Sequence, residues 1–198
     1  MKRPIALLIA ILALGTGAYF LFFNGKKVEK GPKDQPLAIA ENTAPFNQSF
    51  DQLLSAYLQV KDALVASDTN LVNKAAAELL VAADSLKTEE IKGDSTGALK
   101  ATAKDFALTI NGSAKGILGE VDIENKRKDF ELITDALYNL IRTVKYSGKK
   151  VYYNFCPMAF NDKGAYWMST ESEIRNPYFG NKMLTCGNVT DSLDYSKK

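Results

Sequence analysis

The chain has 198 residues, 46% of them apolar and 24% charged, with a formal net charge of +2. That length suits one globular domain with accessory segments, and the mixed charge gives no basic face of the kind nucleic acids require. The chain has no histidine, which excludes Ser-His and Cys-His nucleophilic pairs and every histidine-based zinc or blue-copper site. No acid-base or nucleophile pair stands out elsewhere, so an enzyme is not expected.

Lys2 and Arg3 precede an unbroken apolar run, Pro4 to Phe23. Twenty helical residues span about 30 Å, the thickness of a bilayer core. Small residues at Gly15-Thr16-Gly17-Ala18 fit a signal peptidase, but the run continues through Tyr19–Phe23, which favours an uncleaved anchor over a cleaved signal. Lys26, Lys27, Lys30 and Lys33 outnumber the basic residues in front of the run, and a strict positive-inside count would keep the body in the cytoplasm. A basic start followed at once by an apolar run is nevertheless the form of an export signal. Residues 1–24 are therefore expected to anchor a periplasmic body to the inner membrane. Residues 25–45, with Gly25, Gly31, Pro32, Pro36 and Pro45, read as a linker.

Residues 46–148 carry helical periodicity. The spacing predicts a first helix from Phe46 to Ala66, then a break at Ser67-Asp68-Thr69 that also caps a second helix. That second helix has Leu71, Val72, Ala75, Ala76, Leu79, Leu80 and Ala83 on one stripe. A third is expected from Ser95 to Gly116, its end blurred by Gly112 and Gly116. The fourth, Asp122 to Tyr146, has the clearest stripe in Phe130, Ile133, Leu137, Leu140, Ile141 and Val144, with Lys126, Arg127, Lys128 and Asp129 assigned to water. Four such helices with short connections predict an all-α fold, an antiparallel up-down-up-down four-helix bundle able to stand without a metal or disulfide.

After Gly148 the helical period is lost. Residues 149–198 read as an irregular cap with short strands at Ala165–Ser169 and Met183–Val189, and with turns at Asn161-Asp162-Lys163-Gly164 and Asn176-Pro177. Both cysteines and three of the four methionines lie here: Cys156, Met158, Met168, Met183 and Cys186. Thiolate and thioether sulfurs are soft donors that select Cu(I) over calcium or magnesium. On that reading Cys156 and Cys186 are thiolate ligands, Met158 and Met183 thioether ligands and Met168 a reserve. Trp167, Tyr152, Tyr153, Phe155, Tyr166, Tyr178 and Phe179 would then enclose the site. The competing reading is a Cys156–Cys186 disulfide, the usual state of two exported cysteines. Closing a loop of that length is worth about 3.6 kcal/mol in the chain-entropy model.

The run CPMAFNDKGAYWMS, followed by EIRNPYFGNKML and CG, resembles a domain family of formally unknown function. Its members are exported proteins of Gram-negative bacteria, and the same domain occurs at the carboxy termini of periplasmic adaptor subunits of heavy-metal efflux pumps. The likeness rests on residues 150–190, with only the pattern agreeing over the helices. The Cys156-Pro157-Met158 element is also similar to the short metal-binding module of those adaptors, although Ala159 stands where that module has histidine and Cys186 is a lone cysteine. By analogy the resemblance implies Cys156 and Met158, partnered by Met183 and Cys186, as ligands. It also implies a heavy-metal efflux adaptor or a copper enzyme as the recipient of the metal.

Overall fold

The computed structural model describes residues 41–196, so the expected anchor and most of the expected linker lie outside the described residues. The described chain begins with a two-residue strand, β1 (Glu41–Asn42), followed by helix α1 (Ala44–Ala66) and helix α2 (Thr69–Asp84). A 3₁₀ turn at Thr88–Glu90 leads to β2 (Ile91–Lys92), antiparallel to β1, and then to α3 (Ala98–Gly119) and α4 (Ile123–Val144). Among these described residues no helix is long and apolar enough to cross a membrane.

Local chemistry sets the helix ends. Thr43 accepts from the Phe46 amide (3.3 Å) to cap α1, which stops where Ser67 turns left-handed at φ 55°. Asp68 caps α2 through the amides of Asn70 and Leu71 (2.9 and 3.0 Å), and Asp122 caps α4 through that of Glu124 (3.1 Å). Helix α3 runs through both of the glycines that blur its predicted end. Gly116 has a packing reason: a Cβ there would lie 2.7 Å from the Asp129 carboxylate, so the missing side chain lets α4 approach.

Each helix packs on the next in sequence, and α1 also meets α4. There the Tyr57 and Phe130 rings stack at 5.0 Å, and the Tyr57 hydroxyl shares a hydrogen bond of 2.8 Å with Thr134. The protein is thus mainly helical, with a small antiparallel sheet at its carboxy-terminal end.

Two charged residues assigned to water are buried. Lys126 is 1% exposed and Arg127 4%. The Lys126 ammonium donates to the Ile117 carbonyl (2.6 Å), to the Glu120 carbonyl and to Asn73 Oδ1 (2.8 Å), so it terminates α3 from the neighbouring helix. A cation satisfies orphan carbonyls and meets the negative end of the helix dipole there. Burial lowers its pKa, with Glu120 and Asp129 opposing. Arg127 does the same for α1, reaching Ser67 Oγ (3.0 Å) and the Leu64 carbonyl (3.4 Å), and its Nε donates to the Pro177 carbonyl (2.8 Å) in the cap.

The cap is a three-stranded antiparallel sheet in the order β4-β3-β5: β3 (Val151–Cys156), β4 (Ala165–Ser169) and β5 (Asn188–Leu193). β4 falls where the sequence places it. β3 has no counterpart among the expected strands, and the strand expected over Met183–Val189 is displaced, since only Asn188 and Val189 of that stretch are extended within β5. Trp167, Met168, Tyr178 and Leu193 belong to the same buried cluster as the helix stripes, so one core serves both regions.

Candidate metal and dithiol site

Pairing of β3 with β4 fixes which side chains share a face. The register sets Cys156 opposite Ala165, Asn154 opposite Trp167 and Tyr153 opposite Met168. Because side chains alternate along a strand, Cys156, Asn154 and Trp167 share one face of the sheet. Tyr153, Phe155, Tyr166 and Met168 lie on the other. There Tyr153 is stacked between Tyr138 (3.9 Å) and Tyr166 (4.6 Å). The Met168 side chain is fully buried on that second face, so the register separates the reserve ligand from Cys156. The same argument removes Tyr153, Phe155 and Tyr166 from the enclosure expected around the cysteines.

Cys186 comes from the loop between β4 and β5, and Asn176 holds that loop. Its amide donates to the Leu184 carbonyl (2.8 Å), its Nδ2 donates to the Cys186 carbonyl (2.7 Å), and its Oδ1 accepts from the Tyr178 amide (2.7 Å). Asn176 is fully buried, and the next residue offers its carbonyl to Arg127. A chain of contacts therefore runs from the α1–α4 junction to Cys186. The sequence marks Asn176-Pro177 only as a turn, and nothing in it signals a clamp. Gly187 follows at φ 132°, and a Cβ there would meet the Trp167 ring at 2.7 Å, so the loop lies directly on the indole.

The two sulfurs thus meet. Cys156 Sγ and Cys186 Sγ are 3.0 Å apart, with Cys156 fully buried and Cys186 half-buried. The contact with Cys156 and burial push the Cys186 thiol up to about 11, so in the reduced protein it keeps its proton at neutral pH.

Met158 and Met183 line a cleft of about 660 Å³ together with Phe160, Tyr178, Phe179 and Lys128. Met158 is 46% exposed. The cleft wall contains a run of left-handed residues, Phe160, Asn161 and Asp162, at φ 52°, 58° and 64°. The sequence reads Asn161-Asp162-Lys163-Gly164 as an ordinary turn and gives no signal at Phe160. Left-handed backbone costs an L-residue about 1–2 kcal/mol, and packing offsets it here through an edge contact of the Phe160 ring on Tyr178 at 5.3 Å. A larger groove, about 740 Å³, runs between α1 and α2 past Gln52, Ala56 and Val81, and shares no lining residue with the sulfur cleft.

The donor set can be matched to metal chemistry. Among the described residues no group of three or more histidine, cysteine or carboxylate side chains is placed to hold an ion. Two thiols in contact, with thioethers on the same two chain segments, fit a soft ion of low coordination number rather than zinc, which takes four nitrogen or sulfur ligands, or calcium, which takes six or more oxygens.

Among known proteins, a family model described as "Protein of unknown function (DUF3347)" matches residues 53–149. That span runs from within α1 to just before β3, so the cysteines and the motifs of residues 150–190 lie beyond it. No curated protein and no solved structure matches the chain.

Proposed function

We propose that this chain, whose residues 53–149 match the DUF3347 family, binds a soft heavy-metal ion, Cu(I), through Cys156 and Cys186 at the edge of its carboxy-terminal sheet. The observation that carries the reading is the meeting of the only two cysteines at 3.0 Å, on segments that also bring Met158 and Met183 to one cleft. The helices, read as an antiparallel four-helix bundle, supply the rigid base. Arg127 and Asn176 extend that base to the Cys186 loop. The ion would bring its affinity for soft donors. The protein's part is to hold two sulfurs together beside Trp167 and limit water at Cys156.

In this reading the protein is tethered to the inner membrane by its amino-terminal segment and faces the periplasm. There it sequesters Cu(I) or passes it to a heavy-metal efflux adaptor or a copper enzyme. The absence of histidine and the soft donor set support the metal class. The export-like amino terminus and the resemblance of residues 150–190 support the compartment and the recipients.

The same 3.0 Å contact favours a second reading, a non-metal adaptor module whose cap is closed by a Cys156–Cys186 disulfide. A competition titration of the reduced full-length protein against a chromogenic Cu(I) chelator separates the two. The metal reading expects one tightly held Cu(I) per chain, and that tight binding is lost in Cys156→Ser and in the oxidised protein. A reduced wild type that takes up no copper leaves the disulfide-closed adaptor.

A further inference from the structure

The four sulfur side chains at this edge divide between a cleft and a sulfur–sulfur contact, and each chain segment contributes one to each. On the first, Met158 is half-exposed at the cleft and Cys156, two residues before it, is fully buried. On the second, Met183 lines the cleft, and Cys186, whose amide donates to the Met183 carbonyl (3.1 Å), touches Cys156. Both thioethers line one cavity, and neither cysteine lines it. A single four-sulfur centre would put all four donors on one cavity. The left-handed turn after Met158 turns the chain so that Phe160 packs on Tyr178 and Met158 stands on the cleft wall. Backbone strain of this kind persists where surrounding contacts over-determine it, as they do at ligand clamps.

We propose that the cleft is an outer station, in which the Met158 and Met183 thioethers capture a soft monovalent cation from solvent before the Cys156–Cys186 pair takes it. The inference rests on the soft-metal reading above and adds a second, separate site to it. Thioethers are neutral and have no proton to lose, so capture needs only the shedding of water by a poorly hydrated ion. Inward transfer is a ligand exchange without redox change. Two sulfur–metal bonds to methionine break and two to cysteine form. The two S–H protons leave to solvent, and the metal remains monovalent.

Ag(I), a soft monovalent ion, is the probe, with the reduced full-length chain in detergent. Trp167, the only tryptophan of the chain, lies beneath the Cys186 loop and reports arrival at the inner pair by fluorescence. In Met158→Leu/Met183→Leu the equilibrium affinity stays within about twofold of wild type, and the stopped-flow rate of Trp167 quenching falls by about tenfold or more. In Cys156→Ser/Cys186→Ser one weaker Ag(I) remains, seen as shifts of the Met158 and Met183 methyl resonances without quenching. If the methionine variant loses affinity as fully as the serine variant, the four sulfurs form one centre and the outer station is wrong. The outer station also fails if the methionine resonances of the serine variant stay still. In either case the soft-metal reading stands. A wild type that binds no Ag(I) overturns both.

Discussion

The helical region and the carboxy-terminal cap bury apolar surface by different means. Residues 44–144 do it with side chains repeating every three or four positions along α1–α4, and the polar groups that end one helix are satisfied next door or by a neighbouring helix. Residues 151–193 have only three short strands. β5 is exposed along nearly its whole length, with only Leu193 buried. The cap therefore borrows its interior from the helices: Trp167, Met168 and Tyr178 sit in the helical core, and the Met168 amide donates to the Tyr57 hydroxyl (2.9 Å). Regular periodicity makes a region legible and locally self-consistent. Borrowed packing makes a region depend on residues far away in the chain.

The largest test of this contrast is truncation after Ser147. Trp167 and Tyr178 bury about 150–250 Å² each, worth about 4–6 kcal/mol apiece, against a typical domain stability of about 5–15 kcal/mol. The truncated chain should stay helical by far-ultraviolet circular dichroism but lose its cooperative melt. A sharp transition at the full-length temperature would mean that the helices own their core after all. Next comes Leu137→Ala on the α4 stripe. Leu137 is fully buried, and the change should cost about 2–5 kcal/mol in chemical denaturation.

Arg127→Met tests the link between the regions. It strips partners from the Leu64 and Pro177 carbonyls, and denaturation should show a loss of about 1–3 kcal/mol. The exposed neighbour Lys128 changed to Met should stay within about 0.5 kcal/mol of wild type. Equal effects would return Arg127 to the solvated face. The smallest effect is electrostatic. Burial raises the carboxyl pKa values of Asp129 and Glu131 on α4, helped by the charges of Glu120 and Asp135 respectively. A folded value above the unfolded one, about 4, gives stability that is full below about 4 and is lost as pH rises through the raised values. Glu131→Gln should flatten that decline in melts taken across the acidic range, and an unchanged slope would remove Glu131 from it.

Much of the helical region is legible because its signals are local. Asp68 and Asp122 each cap a helix that starts at the next residue, and the stripe through Phe130, Leu137 and Val144 is the buried face of α4. Lys126 and Arg127 mislead because charge alone suggests solvent. Their partners are carbonyls at the ends of α3 and α1, a tertiary arrangement that no window of sequence contains. In the cap, Ala165–Ser169 is legible as a strand. Val151–Cys156 is not, because aromatic residues occupy both of its faces, Tyr153 and Phe155 on one and Tyr152 on the other, so no apolar-polar alternation marks it. The candidate cysteines can be named from their chemistry, but the separation of Met168 from them follows only from the β3–β4 register, and the role of Asn176 only from its contacts.

The Tyr57 hydroxyl touches Thr134 and the Met168 amide, partners 77 and 111 residues further along the chain. A contact of that sequence separation forms late and slows folding relative to a purely local bundle. As synthesis proceeds from the amino terminus, the helices emerge first, with Tyr57 and Phe130 facing a core that still lacks its last wall. The meeting of the cysteines is later still, since Cys186 is held by a loop anchored on Arg127 through Pro177. Paired sulfurs are therefore a signature of completed folding. A chain that stalls before its sheet closes presents two separated thiols, each free to react with the wrong partner.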